Sequence, residues 1–237
     1  MAKTPGRLRI VATPIGNLAD LSPRARDALL TADLVACEDT RRTGRLFQNL
    51  GSAGAGGRPA MLPLHDHNED RQIGRVLRLL EDGGDVTLVS DAGTPLVSDP
   101  GFRLVRAAVA RGLTVEALPG PSAILAALVV SGLPPYPFTF LGFPPPRQGR
   151  RRRFFDSHAE LPHTLVFFES PQRAAASLAD AAAAFGPDRD AALARELTKL
   201  HEEVLRGPLG ELAAGVADRP KLRGEVTVVV GGRGRRG

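Results

Sequence analysis

The chain has 237 residues, 43% of them apolar and 24% charged, which suits a globular protein with room for one large domain or two smaller ones. No apolar run approaches the roughly 20 residues of a bilayer-spanning helix. The opening MAKTPGRLRIVATP has no separate apolar segment leading to a cleavage site. Cys37 is the only cysteine, which excludes an internal disulfide and an all-cysteine metal site; a cytoplasmic location is expected. The net charge is +5 and the pI near 10.3, and lysine occurs only at Lys3, Lys199 and Lys221. With arginine so dominant, where the charge is placed says more than its total.

Strand and helix signals alternate along the chain. Residues 8–12 form an apolar strand that ends in the turn-rich Thr13-Pro14-Ile15-Gly16-Asn17. Ser22 is placed to cap a helix with Pro23 in its first turn and Ala25, Ala28, Leu29 and Ala32 on one face. A short strand at 34–37 runs into Glu38-Asp39-Thr40-Arg41-Arg42, and the glycine-rich 51–58 reads as a linker. A strand at 60–64 precedes His65-Asp66-His67-Asn68 and a helix with Ile73, Val76, Leu77 and Leu80 on one side. The strand at 86–90 leads to a helix from Pro100 to Arg111, with Asp99 as its expected cap and Gly112 at its close. After a strand at 114–118, Pro119-Gly120-Pro121 is the expected domain joint. Beyond it come a helix at 122–130, a strand at 138–143, a basic loop and a strand at 164–169. An alanine-rich helix then opens at Ser170-Pro171 and stops at Gly186. Strands at 191–196 and 225–230 and a short helix near 208–216 complete the pattern. This alternation predicts an α/β protein of two α/β domains, residues 1–118 and 119–237, with mostly parallel sheets.

Chemistry concentrates in the loops after strands. The segment 90–101, SDAGTPLVSDPG, follows an apolar strand directly, and ligands of open α/β sheets bind outside the carboxyl ends of strands. Gly93 permits close approach to the backbone, Pro95 and Pro100 stiffen the loop, and Asp91, Thr94 and Ser98 supply donors and acceptors. No G-x-G-x-x-G follows the first strand and no phosphate-binding G-x-x-x-x-G-K-[ST] occurs, which argues against NAD and ATP. His65 and His67 lack a third ligand, so no metal site is expected. No G-x-S-x-G elbow is present for serine hydrolysis. Arg147, Arg150, Arg151, Arg152 and Arg153 crowd into seven residues, a cluster suited to RNA phosphates.

Seven segments in order, TPIGNLADLSPRA, ACEDTRRT, LHDHNE, SDAGTPLVSDPG, LPGPSA, FFESPQR and LARELTK, closely resemble the ribosomal RNA small subunit methyltransferase I family. That family belongs to the tetrapyrrole methylase superfamily, and the resemblance runs from about Leu8 to Val230. It implies a homodimer of two α/β domains with S-adenosyl-L-methionine in the cleft between them. The implied reaction is methylation of the ribose 2′-hydroxyl of a cytidine in the decoding region of small-subunit rRNA, free or in the assembled subunit. The alternatives are a tetrapyrrole C-methyltransferase and a non-catalytic RNA-binding assembly factor. Carried over by position, the cofactor's surroundings include Pro14, Gly16, Asp91, Gly93, Thr94, Ser122 and Ala123, with Phe168, Leu197 and Gly224 from the second domain. Where tetrapyrrole-modifying relatives show G-x-G-x-G-D, this chain has Thr13-Pro14-Ile15-Gly16-Asn17, as the rRNA branch does. Some members carry a further C-terminal domain, and here no RNA contacts from such a module are expected. Activation of a weakly acidic ribose hydroxyl calls for a base or charge stabiliser: Asp39, Glu169 and Glu196 are the candidate carboxylates, with Arg41, Arg173, Arg195 and Lys199 as candidate cations.

Overall fold

A computed structural model describes residues 4–51, 58–65, 67–219 and 222–234. Most of the expected glycine-rich linker, Asp66 and the end of the arginine-rich tail lie outside the described residues. The chain divides into two compact units, Met1–Ser122 and Ala123–Gly237.

The first unit contains β1 (Arg7–Val11), α1 (Pro23–Leu30), β2 (Leu34–Cys37), α2 (Thr40–Asn49), β3 (Ala60–Pro63), α3 (Glu69–Glu81), β4 (Val86–Val89), α4 (Phe102–Ala110) and β5 (Thr114–Leu118). Its sheet has the order β3-β2-β4-β1-β5 and every pair is parallel. Every residue of β2 and β4 is buried, because helices cover both faces of a parallel sheet and its inner strands become continuous apolar runs. One face packs Leu8, Leu34, Leu88, Val76, Leu80 and Leu104 together. The other packs Val11, Val35, Cys37, Val89, Leu29 and Phe47.

Local chemistry sets the helix ends. Ser22 Oγ accepts the Ala25 amide at 3.2 Å and Pro23 follows it, as the sequence indicates. Asp99 does not cap α4. The cap is Gly101, whose φ of +117° is open to glycine, and a Cβ there would lie 2.6 Å from Leu88 Cδ2. The helix therefore begins at Phe102 and leaves Asp99 in the loop.

The second unit contains α5 (Ala123–Val130), β6 (Phe138–Phe140), α6 (Gln148–Asp156), β7 (Thr164–Glu169), α7 (Ala174–Phe185), β8 (Asp190–Arg195), β9 (Glu203–Pro208), α8 (Leu209–Ala217) and β10 (Val226–Val230). Its sheet, β6-β7-β10-β8-β9, departs from the expected parallel pattern. Only β6 and β7 are parallel, whereas β10 runs antiparallel to β7 and β8, and β9 antiparallel to β8. The cause lies in the connections: residues 196–202 join β8 to β9 without the helical crossover that a parallel pair requires. Strand β9 escapes sequence reading because it is a half-buried edge strand ending in Gly207 and Pro208. The basic segment is also not a loop, since α6 carries it and packs Phe155 into the core with Phe167, Leu178 and Phe185.

Candidate functional site

In the first unit, parallel pairing brings the carboxyl ends of all five strands to one edge. Thr13, after β1, pairs with Gly93, after β4, through reciprocal backbone hydrogen bonds of 2.9 and 3.0 Å. Gly93 has φ +85°, and a Cβ there would lie 3.4 Å from Ile15 Cγ2. Thr94 Oγ1 donates to the Pro121 carbonyl at 3.1 Å, which ties the central loop to the segment after β5. The Asp91 carboxylate accepts the Asp39 amide at 3.1 Å and faces Arg42 Nε at 3.3 Å. Sequence-predicted Asp91, Gly93 and Thr94 thus share one edge with Thr13, beside half-buried Pro14 and exposed Gly16. Ser122 is the last residue of this unit and Ala123 the first of α5.

Charge on this edge is tuned by burial and by arginine. Asp39 caps α2 by accepting the Arg41 amide at 2.8 Å, and its other oxygen pairs with Arg41 Nη2 at 2.9 Å. Those hydrogen bonds hold its carboxyl down at about 2, too acidic to serve as a base near neutrality. Burial raises Asp91, against the pull of Arg42. Burial, with the Glu38 charge nearby, pushes Asp99 up to about 6. Asp99 is the residue that sequence reading misplaced: a cap was a reasonable use for an aspartate ahead of a helix, and nothing local announces that Gly101 takes that role.

In the second unit, β6, β7 and β8 run the same way and β10 runs against them. The ends of β6, β7 and β8 and the start of β10 therefore share an edge, with Val226 opposite both Glu169 and Arg195. Glu169 Oε1 accepts the Ser170 amide at 2.7 Å and pairs with Arg173 Nη2 at 2.6 Å. Its Oε2 is buried without a hydrogen-bond partner among the described residues. Glu196 and Thr198 hold φ of +53° and +67°, a left-handed backbone that costs non-glycine residues energy, and they flank buried Leu197. Glu196 Oε1 accepts Lys199 Nζ at 2.7 Å and the Glu225 amide at 3.0 Å. Burial would raise Glu196, but these hydrogen bonds outweigh it and hold the carboxyl low. Burial likewise opposes the Lys199 charge, and Glu196 and Glu225 raise its pKa regardless. Gly224, at φ +91°, leaves the space that the Glu196 carboxylate fills, since a Cβ there would overlap it. Half-buried Phe168 packs between Phe140 and Phe143. Arg195 bonds Glu203 and the Arg223 carbonyl, so its guanidinium ties β8 to β9 and to the turn before β10.

The arginine cluster separates into two sets. Arg151 is buried, its Nη2 at 2.6 Å and its Nε at 2.9 Å from Asp180 Oδ2 on α7. Arg152 reaches the other Asp180 oxygen at 2.8 Å while staying exposed. Burial would raise Asp180, and the hydrogen bonds from Arg152 and Arg151 hold it low instead. The expectation that Arg151 meets RNA is therefore corrected: a guanidinium buried in a two-bond pair has no face for phosphate. Arg147, Arg150 and Arg153 remain exposed. Asp180 itself had one signal in the sequence, as the single charged residue within an alanine-rich helix.

Residues 7–213 match the family model of Tetrapyrrole (Corrin/Porphyrin) Methylases. The chain is 51% identical over 230 residues to ribosomal RNA small subunit methyltransferase I of Xylella fastidiosa, covering 97% of this chain and 82% of that protein. It is 50% identical over 227 residues to the protein of that name from Mycobacterium tuberculosis, covering 96% and 78%. Uroporphyrin-III C-methyl transferase of Thermus thermophilus, complexed with S-adenyl homocysteine, shares the fold at a TM-score of 0.64 and 20% identity, with 95% and 97% of the two chains covered. The chain belongs to the tetrapyrrole methylase family and, within it, to the ribosomal RNA small subunit methyltransferase I group.

Proposed function

We propose that the protein is an S-adenosyl-L-methionine-dependent methyltransferase that modifies the ribose 2′-hydroxyl of a cytidine in the decoding region of small-subunit rRNA. The observation that carries this reading is identity near 50% to rRNA small subunit methyltransferase I proteins over almost the whole chain.

The residues present suit such a donor. Glu169 Oε2, buried and without a hydrogen-bond partner among the described residues, is an acceptor for a hydroxyl or amine, and Gly93 leaves the meeting point of the loops after β1 and β4 without a side chain, where a Cβ would lie 3.4 Å from Ile15 Cγ2. When bound, the donor supplies an electrophilic methyl group. Of the residues that the resemblance assigns to the donor, Pro14, Gly16, Asp91, Gly93, Thr94 and Ser122 belong to the first unit and Ala123, Phe168 and Leu197 to the second. Gly224 contributes by making room for Glu196.

Each of the three candidate carboxylates is held by a cation: Asp39 by Arg41, Glu169 by Arg173 and Glu196 by Lys199. None is free to act as a strong base, so the protein's contribution is orientation of the hydroxyl and exclusion of water. Lys199 and Arg173 supply fixed positive charge for an oxygen that gains negative character. Arg147, Arg150, Arg152 and Arg153 take phosphates, and the 2′-hydroxyl itself separates RNA from DNA.

A homodimer completes the proposal. Phe102 and Val109 lie two helical turns apart on α4, 63% and 62% exposed, and such a pair fits a buried subunit contact. Among the described residues no helix is long and apolar enough to cross a membrane, and a cytoplasmic location suits an rRNA substrate. The test is transfer of labelled methyl to assembled small ribosomal subunits, to free small-subunit rRNA and to a porphyrinogen. Label on rRNA alone supports the reading, and label on the macrocycle alone overturns it.

A further inference from the structure

One exposed aromatic beside α6 has no part in the chemistry described so far. Phe143 is 55% exposed, yet its ring is held in place: it lies 5.3 Å from Phe168, which lies 4.9 Å from Phe140. The backbone around it is pinned as well. Leu141 donates to the Val166 carbonyl at 2.8 Å and Phe168 donates to the Gly142 carbonyl at 2.9 Å, which continues the β6–β7 pairing up to the ring. Three consecutive prolines then lead to Arg147, and four residues of chain span at most about 14 Å, so the ring and the first arginine stay close. Arg150 and Arg153 follow at helical spacing, exposed and without an ion-pair partner among the described residues.

We propose that Phe143 is a stacking platform for a base of single-stranded RNA whose neighbouring phosphates lie on Arg147, Arg150 and Arg153. An aromatic face next to a cationic track is how proteins hold single strands: the bases stack and the phosphates pair. Bases inside a duplex are already stacked on each other, so the platform selects a splayed or unpaired segment. Phe168, held here as the ring's support, keeps the platform from folding away. The inference rests on the rRNA reading above and adds to it the residue that receives a base.

The test uses the full chain with Phe143→Ala and Phe143→Trp, and with Arg150→Ala/Arg153→Ala as the control for the track. Affinity is measured for a short single-stranded oligoribonucleotide and for a duplex of the same sequence over a range of salt, and donor affinity by calorimetry. Loss of one stacked base weakens single-strand binding about 5- to 100-fold. Phe143→Ala should show that loss with an unchanged salt slope, unchanged donor affinity and little effect on the duplex, while Phe143→Trp binds like the parent. The arginine control should instead flatten the salt slope. If Phe143→Ala binds the single strand like the parent while the arginine control weakens it, the platform is wrong and the rRNA reading stands. If Phe143→Ala loses donor affinity instead, the ring belongs to the donor site and the proposal falls. If the parent does not bind the single strand, the platform is wrong, and the rRNA reading is decided separately by methyl transfer to ribosomal subunits. Melting temperature checks the fold, which truncation of a half-exposed ring should leave intact.

Discussion

The Asp180 carboxylate on α7 and the Arg151 guanidinium on α6 form a buried pair, with side chains 2% and 5% exposed and a closest approach of 2.6 Å. The pair joins two helices and divides one run of arginines into a structural member and its exposed neighbours. Removing one partner of a buried pair costs about 3 kcal/mol where it strands the other charge, but Arg152 and Gln148 still reach Asp180, so the loss here is about 1–3 kcal/mol. Arg151→Ala should therefore lower Tm by about 2–12 °C, whereas Arg150→Ala should leave Tm nearly unchanged and weaken RNA binding. Thermal melts and salt-dependent RNA titration of the two variants check this, and equal Tm losses would refute the division.

Asp91 gives a second prediction. Its carboxylate meets the Asp39 amide and Arg42 at the ends of β2 and β4. Asp91→Ala should weaken donor binding by about tenfold or more, the usual scale for losing a charged hydrogen-bond acceptor, with RNA affinity within twofold of the parent. Calorimetry with the donor and RNA titration separate the two effects, and an unchanged donor affinity would remove Asp91 from the site.

Gly224 and Glu196 give a third. A methyl group at residue 224 would overlap the Glu196 carboxylate at a left-handed backbone position. Gly224→Ala should destabilise by about 1–3 kcal/mol and displace Lys199 along with its carboxylate partner. Adding Glu196→Ala should recover part of the lost Tm, because the overlap disappears with the side chain. A double variant no more stable than Gly224→Ala would show that the overlap is not the cause.

Asp99 gives the pH dependence. Burial raises its carboxyl to about 6 in the folded chain, so between about 4 and 6 the folded state holds a proton that the unfolded state has released. Stability contributed by this group is full below about pH 4 and is lost as pH rises through 6. Asp99→Asn should then raise Tm at pH 7 by about 2–4 °C, taking roughly 1 kcal/mol for a partly solvated group, and should flatten the change in Tm between pH 4 and 7. Melts across that range check it; a Tm for Asp99→Asn that falls at pH 7 gives the opposite sign.

Much of the first unit was readable in the sequence because its signals are local, but α2 (Thr40–Asn49), read as a loop running into a linker, and the cap of α4 were not. Continuous apolar strands, Ser22 before Pro23 and small polar loops at strand ends each state their structure over a few residues. The second unit hides its sheet, since β10 lies between β7 and β8 although it follows α8 in the chain, and no short window records that order. Arg151 and Asp180 lie 29 residues apart in sequence, so composition alone gave the cluster to RNA. The left-handed Glu196 and Thr198 carry no residue signature either. Glu196 exchanges backbone and side-chain hydrogen bonds with Glu225 and fills the space beside Gly224, just before β10, while Thr198 donates its amide to Glu202 Oε2.

The most direct measurement is mass mapping of small-subunit rRNA after incubation of the purified protein with labelled S-adenosyl-L-methionine and with either ribosomal subunits or a porphyrinogen. The account predicts one added methyl on the ribose of a single cytidine in the decoding region and an unlabelled macrocycle. A labelled macrocycle with unlabelled RNA, or a methyl on the base instead of the sugar, would contradict it.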